Sequence, residues 1–597
     1  MRNYYQEQIR RSEDGIHKAE RAINIYSFLR LVAVILGGVL VYQTTIIQKV
    51  WLTELTFFFI VIVFALLVRK QSRLEKEKQY FHRLKEINKN EISTLSFGKN
   101  LYSDGTEWID DHHYYSSDLD IFGPSSLFQL INRCVTMAGN RLLGEWFSAP
   151  GEKERIVERH EAIKEISSDV KWIQHFQALL LNARETKDQT IKHLLGYLAS
   201  TGSIGGKVLP GYLKIAPLLF LILLAAAFYV QFLWVVVIVM ALVNRLFIVL
   251  YKQRIVTTTV AINKVASVLE TYSLAIAEIE GREWKSPLTI RLSGYLRSGN
   301  SISYSSQVRR LSALIHRLDL QAPGLIIFAL NTACAWQVRQ YLAVEDWKQT
   351  NHLNVKKTFD IIGEFEAILS LGMVHINYPK WCFPEIVEDT YFTLDIKQAG
   401  HPLLGEESRV TNNFNLTNEL KIDIVTGSNM AGKSTFLRTL GVNTVLALAG
   451  APACAEWMRI TPMTLFSYMR IKDSLAESTS TFKAELNRLR LLLDVLAKPG
   501  KVYFLIDEML RGTNSEDKFR GSKAVIEKLI DLRAAGIVAT HDLQLAELTH
   551  KYPDYIRNFY FDIQVVGNEM MFDYKLKEGA CTTFNASLLL SRLGIEV

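Results

Sequence analysis

Four long apolar segments constrain the fold of this chain more than any other feature of its sequence. Two lie near the N-terminus, at about residues 27–43 and 50–68, and two follow each other closely, at about 215–231 and 232–250. A bilayer core requires about 20 residues of helix per crossing, and backbone exposed to lipid must satisfy its hydrogen bonds internally. The sequence therefore predicts four transmembrane helices, arranged as two hairpins.

Basic residues beside these segments predict how the hairpins are oriented. Arginines and lysines precede the first and third segments, and others follow the second and fourth. Because cytoplasmic loops carry the excess of lysine and arginine, all of these flanks are predicted to be cytoplasmic. The sequence thus predicts a multi-pass protein of the cytoplasmic (inner) membrane whose C-terminal domain lies in the cytoplasm.

Other interpretations of the apolar segments are weaker. A secretory signal at residues 27–42 is disfavoured, because about 26 mostly polar residues precede it and no A-x-A cleavage pattern follows. A buried core hairpin at residues 215–250 is a second alternative, but this region has almost no polar face. Residues 324–336 are also apolar but too short to span a bilayer, and we interpret them as a core helix.

Charge and cysteine content restrict the function less sharply. The formal net charge of +7 permits a nucleic-acid or anionic-lipid partner but requires neither. The five cysteines are scattered and include no C-x-x-C pair, so neither a disulfide framework nor a zinc site is expected.

The remaining sequence predicts an α + α/β architecture. A polar helix, the first hairpin and a charged helix occupy residues 1–90, and the second hairpin occupies 201–254. The region 91–200 between them begins irregularly, at 91–125, and then shows apolar residues at helical spacing, in 126–200. Residues 255–394 are again largely helical. In residues 395–597 short apolar runs alternate with helices, which is typical of an α/β domain with a mainly parallel sheet.

A glycine-rich loop inside this last region is the strongest functional motif. It follows a predicted strand at residues 422–425 and precedes a predicted helix. The loop has the pattern G-x-x-x-x-G-K-[ST] and reads Gly427, Ser428, Asn429, Met430, Ala431, Gly432, Lys433, Ser434 and Thr435. Backbone amides of such a loop, with the helix N-terminus, bind phosphates. Lys433 is predicted to reach the β- and γ-phosphates and Ser434 to ligate Mg²⁺, which indicates an ATP site.

Two further strand ends carry candidate catalytic side chains. A buried-strand run at residues 502–506 ends in Asp507 and Glu508. A third run, at 537–539, is followed closely by His541. Asp507 is placed to hold the metal ion, and Glu508 to orient and polarise the attacking water. His541 can hydrogen-bond the γ-phosphate or that water. A solvated turn and a surface histidine are the alternative interpretations.

Taken together, these motifs resemble those of the MutS family, the DNA mismatch-repair ATPases and their relatives. The loop TGSNMAGKST is similar to the family's TGPNMGGKST, and DEMLRGTNSED is similar to DELGRGTSxxD. Ser480-Thr481-Phe482 with Glu485 resembles the family's STF-x-x-E signature. Residues 126–167 look like the start of the MutS core helical domain. The resemblance therefore implies a helical core/lever domain followed by a P-loop ATPase domain of the ABC type.

The resemblance also implies a mechanism. In this family two ATPase domains pack head to tail, and each composite site receives the signature serine from the other subunit. Ser480 would then contact the γ-phosphate bound by the partner's Lys433, with ATP and Mg²⁺ as the bound cofactors. A homodimer through the ATPase domains is the expected assembly and DNA is a possible partner. ATP binding would close the dimer and hydrolysis would reopen it.

Several features depart from the family pattern. No mismatch-reading domain is recognised, and a membrane hairpin occupies residues 1–90 in its place. Ser428, Ala431 and Leu510 replace a proline and two glycines of the family motifs, although the catalytic groups are retained. The aromatic side chain expected to stack on adenine just before Asn412 is not evident, and Arg409 occupies a nearby position.

Two functions follow from these observations. The first is a membrane-anchored MutS-like ATPase that binds and hydrolyses ATP at a composite dimer site, coupled to DNA binding in a repair- or recombination-related process. The second is an ATP-driven membrane switch that acts on a protein or lipid partner without nucleic acid. They differ in whether DNA or lipid is expected to stimulate ATP turnover.

Overall fold

A computed structural model shows a mainly helical chain with two sheets in its C-terminal part. It describes residues 1–581 except for 48, 185–187, 201–207, 228, 263–264, 298–302, 320–323, 429–430, 470–480, 512–513 and 567–568. The helices are α1 (Arg2–Ile46), α2 (Val50–Leu95), α3 (Leu127–Ile131), α4 (Met137–Ser148), α5 (Lys153–Ser167), α6 (Val170–Leu180), α7 (Asp188–Ala199), α8 (Val208–Ala227), α9 (Leu233–Ala261), α10 (Ala266–Gly281), α11 (Pro287–Arg297), α12 (Tyr304–Leu318), α13 (Gly324–Cys334), α14 (Trp336–Asn377), α15 (Lys433–Ala449), α16 (Thr481–Leu496), α17 (Ser515–Asp531) and α18 (Leu548–Lys551). The strands are β1 (Glu385–Ile386), β2 (Leu394–Ala399), β3 (Asn412–Phe414), β4 (Ile422–Thr426), β5 (Trp457–Ile460), β6 (Thr464–Tyr468), β7 (Val502–Asp507), β8 (Ala535–Thr540), β9 (Ile556–Val566) and β10 (Glu569–Glu578).

The first two apolar segments lie in two long, continuous helices. α1 and α2 contain 45 and 46 residues. Each therefore extends about 68 Å, more than twice the thickness of a bilayer core. The polar helix, the two apolar segments and the charged helix predicted for residues 1–90 are merged into one packed pair of helices. By length and composition, both helices could cross a membrane.

The third and fourth apolar segments form α8 and α9, which also have the length and composition of membrane-crossing helices. Many of their large apolar side chains are more than half exposed, including Leu218, Leu221 and Leu246. A hairpin buried inside the protein would have these side chains covered by other residues. The alternative of a buried core hairpin at residues 215–250 is therefore wrong.

The short apolar segment at residues 324–336 also differs from its prediction. Most of it forms α13, which packs against α8, α9 and α14. Leu325, Ile326 and Phe328 are exposed. The prediction of a core helix is wrong, because apolar composition indicates that a helix avoids water but not which neighbours cover it.

A long helix forms the spine of the helical region. α14 contains 42 residues and packs against α4, α5 and α12. Ile362, Phe365 and Leu369 recur on it at helical spacing and are fully buried. Because β1 follows α14 after a short connection, this helix links the helical region to the sheets.

A buried network attaches the first hairpin to this spine. Arg133 donates to the two carboxylate oxygens of Glu91, near the end of α2, at 2.5 and 3.0 Å. Asn377, the last residue of α14, donates to Glu91 at 2.9 Å. The Tyr5 hydroxyl of α1 in turn donates to Asn377 at 2.6 Å. The base of the first hairpin is thereby joined to the end of the helix that leads into the sheets.

The larger sheet brings several strand ends to one edge. Its strand order is β10-β9-β4-β8-β7-β6, and neighbouring strands pair in parallel except for β9 and β10, which pair antiparallel. β4, β7 and β8 are buried along their whole length, as expected for parallel strands covered on both faces. Their carboxyl ends therefore lie side by side at the same edge, where ligands bind in open α/β sheets.

The smaller sheet has the strand order β1-β5-β2-β3 and contacts α15. Asn443 of α15 is buried where this helix meets the smaller sheet. It donates to the Gly400 carbonyl at 3.0 Å and accepts from the Cys454 N–H at 2.7 Å. β1 begins at Glu385, so this sheet starts before the boundary predicted at residue 395. The contact holds the helix that follows the glycine-rich loop in place.

Candidate nucleotide-binding site

The glycine-rich loop leads from β4 to α15, which begins at Lys433. Gly427 and Gly432 have φ angles of +146° and +108°, a region that residues with side chains rarely adopt. A Cβ at Gly427 would also lie 2.9 Å from the carbonyl oxygen of Phe561. The path of the backbone therefore requires glycine at both positions.

Lys433 is buried beneath this loop. Its Nζ donates to the carbonyl oxygens of Gly427 and Ser428 at 2.7 and 2.9 Å. Burial lowers the pKa of the Lys433 ammonium group, while the carboxylates of Glu508 and Asp507 act in the opposite direction. The ammonium group is held at the loop, within reach of an anion bound by the loop amides.

Ser434 and Asp507 form a contact suited to a magnesium ion. The Ser434 hydroxyl donates to Asp507 Oδ2 at 2.5 Å, although the two residues are 73 positions apart. Asp507 is buried, and this burial raises the pKa of its carboxyl group. Its other oxygen, Oδ1, is buried and accepts no hydrogen bond from the residues that the structure describes. A buried carboxylate oxygen beside a serine hydroxyl fits Mg²⁺, which prefers oxygen ligands.

Glu508 occupies the turn that follows β7. It has a φ of +52°, unusual for a residue with a side chain, and its N–H donates to the Ala539 carbonyl at 2.9 Å. One carboxylate oxygen lies 3.4 Å from His541 Nδ1, and the other lies 3.3 Å from Arg511 Nε. The structure thus brings together Glu508 and His541, the two side chains predicted to act on the attacking water.

A contact that the sequence does not predict joins α16 to this site. Glu485 in α16 accepts a hydrogen bond from the Arg511 N–H at 3.1 Å. The Arg511 guanidinium, besides its contact with Glu508, lies 3.8 Å from Asp507 Oδ2. The helix that begins within the predicted signature is therefore connected to both carboxylates.

A cavity of about 400 Å³ adjoins the loop, a volume usual for small-molecule sites. The predicted residues that line it are Ser428, Gly432, Lys433, Ser434, Thr435 and Glu508. The other lining residues are Leu404, Ser408, Val410, Asn412, Phe436, Thr439, Phe561 and Tyr574. Among the remaining loop residues, Gly427 and Ala431 are buried. Three predicted site residues lie outside the part of the chain that the structure describes: Asn429, Met430 and Ser480.

Tyr574 is a lining residue that the sequence analysis missed. The residue is 42% exposed, and a Cβ at Gly432 would lie 3.1 Å from the Cδ1 atom of its ring. Its carbonyl accepts a hydrogen bond at 2.9 Å from the side chain of Asn412, which is 162 positions away. An aromatic ring so placed beside the loop can stack on a base. Arg409, noted near this place in the sequence, instead donates to the Leu404 carbonyl at 3.1 Å.

Two family models match parts of this chain. The model for MutS domain III matches residues 114–201, and the model for MutS domain V matches residues 423–587. The second match includes the glycine-rich loop, both candidate carboxylates and Tyr574. Four lining residues of the cavity, Leu404, Ser408, Val410 and Asn412, precede this match.

Several curated proteins are similar to part of this chain. A DNA mismatch repair protein MutS from Aquifex pyrophilus is 33% identical over 223 residues, which are 37% of this chain and 25% of that protein. MutS protein homolog 4 from Homo sapiens is 33% identical over 243 residues, 39% of this chain and 25% of that protein. A DNA mismatch repair protein MutS from Thermotoga petrophila is 25% identical over 496 residues, 76% of this chain and 59% of that protein. The aligned parts thus span about a quarter of the first two relatives and less than two thirds of the third.

Proposed function

We propose that this chain, which belongs to the MutS family, binds ATP in the cavity beside the glycine-rich loop and hydrolyses it. The observation that carries this proposal is the meeting of Lys433, Ser434, Asp507 and Glu508 at one edge of the larger sheet. ATP hydrolysis requires three kinds of group: a phosphate-binding loop, oxygen ligands for magnesium and a carboxylate beside them.

Each side chain has a role in this reaction. The loop amides and Lys433 bind the β- and γ-phosphates. Ser434 and Asp507 would hold Mg²⁺, which when bound neutralises charge on the phosphate oxygens. Glu508 orients a water molecule against the γ-phosphorus and accepts its proton as the bond to the β-phosphate oxygen breaks. His541, 3.4 Å from Glu508, is placed to hydrogen-bond the γ-phosphate or that water.

The complete site in this proposal requires two copies of the chain. The family resemblance assigns Ser480 to the γ-phosphate bound by the second copy. Glu485, five residues later and in α16, contacts Arg511, which in turn contacts Glu508. A second copy that docks at the signature would therefore act on the catalytic carboxylate through this chain of contacts. Hydrolysis is thus expected to depend on dimerisation.

The proposal also includes a membrane and DNA. Four helices with the length and composition to cross a membrane support an anchor, with the ATPase domain at its cytoplasmic face. The names of two similar proteins describe DNA mismatch repair, which supports a repair- or recombination-related process by analogy. The function proposed is therefore that of a membrane-anchored ATPase whose cycle is coupled to DNA binding.

The DNA part is tested by ATP turnover of the full chain in lipid nanodiscs, with no DNA, duplex DNA and branched DNA compared side by side. We expect DNA to stimulate turnover. We also expect the logarithm of the binding constant to fall linearly with the logarithm of salt concentration, because phosphate contacts release counterions. A protein that hydrolyses ATP but binds no DNA at low salt would contradict the DNA part and leave the ATPase intact.

One observation favours the second function, a membrane switch without nucleic acid. The buried network of Tyr5, Glu91, Arg133 and Asn377 joins the first hairpin to the end of α14. A movement of the ATPase domain would therefore act directly on the hairpin. In the turnover assay above, this function predicts that transfer from detergent to nanodiscs stimulates hydrolysis and that DNA has no effect.

Replacing Tyr574 by alanine is expected to weaken ATP binding about 5- to 150-fold, because stacking of a base on an aromatic ring contributes about 1–3 kcal/mol. The ring is partly exposed and lines the cavity beside Gly432, so its loss removes a stacking surface without opening the core. Equilibrium binding of a fluorescent ATP analogue measures the change.

Tyr574→Phe is the matched control for this substitution. It keeps the ring and removes only the hydroxyl group, so the affinity for the analogue should stay close to that of the parent protein. If the alanine variant bound ATP as tightly as the parent, Tyr574 would have no part in holding the base.

A further inference from the structure

The short helix α13 exposes an apolar surface. Its sequence, GLIIFALNTAC, contains no charged residue. Leu325, Ile326 and Phe328 are 83%, 48% and 56% exposed. Contact of such side chains with water is unfavourable in proportion to the apolar area exposed. A partner with apolar chemistry is therefore expected to cover this surface.

The surface of α13 adjoins that of the second hairpin. α13 packs against both α8 and α9, and the Arg245 guanidinium of α9 lies 4.6 Å from the ring centroid of Phe328. Leu221 of α8 and Leu242 and Leu246 of α9 are more than half exposed as well. Whatever apolar medium surrounds the hairpin therefore extends to α13.

Asn244 fixes the depth of α13 along the hairpin. Its Nδ2 donates to the carbonyl oxygens of Thr332 and Ala333, both at 3.0 Å, and its Oδ1 accepts from the Tyr212 hydroxyl at 2.8 Å. Asn244 lies about 9 Å along α9 from Leu250, the predicted cytoplasmic end of the fourth span, and therefore in the cytoplasmic half of a bilayer core about 30 Å thick. The C-terminal end of α13 is therefore at the depth of the predicted fourth span.

The backbone carbonyl groups at the C-terminal end of α13 have hydrogen-bond donors, as a hydrocarbon environment requires. The last carbonyl groups of a helix have no partner within the helix, and in a bilayer core each unsatisfied one is strongly unfavourable. The side chain of Asn244, which is buried, supplies donors to two of them. With 11 residues α13 extends only about 16 Å, so it can enter a bilayer but cannot cross it.

Groups typical of a membrane interface follow directly on the C-terminal end of α13. Trp336, the first residue of α14, donates its indole N–H at 3.3 Å to the carbonyl of Arg317 in the last turn of α12. α12 contains no acidic residue, and its Arg310, His316 and Arg317 are exposed. Tryptophan together with basic side chains is typical of the interface between bilayer and cytoplasm.

We propose that α13 is a third membrane element, a short helix that enters the cytoplasmic leaflet beside the second hairpin and is covered there by lipid acyl chains. The exposed basic residues of α12 face the headgroups of anionic lipids at the same interface. This inference rests on the proposed membrane anchor and adds a contact that hydropathy alone does not assign. Because α13 leads directly into α14, it brings a lipid contact to the helix that reaches the sheets.

Photo-crosslinking to lipid tests the position of α13. A photoreactive amino acid, benzoylphenylalanine, is placed separately at three exposed positions of the full chain: Leu325 in α13, Ile238 in α9 and Leu532 after α17. Each variant is reconstituted in nanodiscs of radiolabelled phosphatidylethanolamine and phosphatidylglycerol. Its thermal unfolding is first compared with that of the parent protein, so that only folded variants are used.

We expect lipid labelling from position 325 to be comparable to that from position 238 and at least about tenfold above that from position 532, since only side chains in hydrocarbon contact acyl chains. Labelling from 238 but not from 325 would overturn the inference and leave the anchor. Labelling from neither would overturn the anchor itself. A crosslink from 325 to a second copy of the chain, in place of lipid, would show that protein covers this surface and would also overturn the inference.

Discussion

ATP binding by the Lys433→Ala variant is expected to be about 10- to 150-fold weaker than that of the parent protein, because a hydrogen bond to a charged group contributes about 1.5–3 kcal/mol. The Lys433 ammonium group lies at the loop carbonyls of Gly427 and Ser428, where phosphate would bind. Hydrolysis should fall with the affinity, and at low ATP concentration it should fall by at least a similar factor. Equilibrium binding of a fluorescent ATP analogue and release of phosphate measure the two effects.

Lys498→Ala is the matched control for this change. Lys498 is an exposed lysine that follows α16 and does not line the cavity, so its loss should leave ATP binding unchanged. Thermal unfolding of both variants separates a loss of affinity from a loss of fold. Unchanged ATP affinity in a folded Lys433→Ala protein would contradict the assignment of the loop as a phosphate site.

Glu508→Gln is expected to slow hydrolysis about 10²- to 10⁴-fold while leaving ATP bound, because acid–base assistance to the attacking water contributes a factor of this size. Glutamine has nearly the same shape but is a poor proton acceptor. The phosphate contacts proposed for Lys433 and the pair formed by Ser434 and Asp507 should be unaffected by the change. Because hydrolysis is proposed to reopen the dimer, ATP should also trap this variant as a dimer.

Two measurements check this outcome, phosphate release under single-turnover conditions and molar mass by light scattering with and without ATP. Glu516→Gln is a suitable control, since Glu516 is exposed on α17 and forms a surface pair with Arg520 at 2.7 Å. Such pairs contribute little to stability. Normal hydrolysis by Glu508→Gln would show that another group activates the water.

These two substitutions separate binding from chemistry. Lys433→Ala is expected to lose affinity and hydrolysis together, whereas Glu508→Gln is expected to lose hydrolysis alone. The difference is expected because Lys433 is proposed to contact phosphate in both the ground state and the transition state, while Glu508 is proposed to act on the water only as it attacks. If Glu508→Gln also bound ATP more weakly, Glu508 would have a structural role in the loop.

The parts of the site that the sequence predicts are those set by local chain geometry. The loop from Gly427 to Thr435 is recognisable because its glycines, lysine and serine act within one turn between strand and helix. Asp507 and Glu508 are recognisable because a buried strand ends beside them, and parallel strands end at the same edge of a sheet. The hydrogen bond between Ser434 and Asp507 agrees with this reasoning over 73 positions.

Tyr574 and the contact between Glu485 and Arg511 could not be predicted in this way. Tyr574 lies in β10, an edge strand whose register with β9 shifts near this residue, and no motif surrounds it. The contact of Arg511 is made by its backbone N–H, which carries no information in the sequence. Both depend on which distant segments pack together.

For the apolar segments too, the sequence predicts the local features and the tertiary structure decides the contacts. Length and composition alone identified four helices able to cross a membrane, because a bilayer selects for a local property, an apolar run of sufficient length. The exposed surface of α13, its capping by Asn244 and the network that joins Glu91 to Asn377 were decided only by the tertiary structure. The composition of a segment indicates whether it prefers water or an apolar medium. Which residues pack against that segment depends on contacts between parts of the chain far apart in sequence, and those contacts exist only once the whole chain has folded.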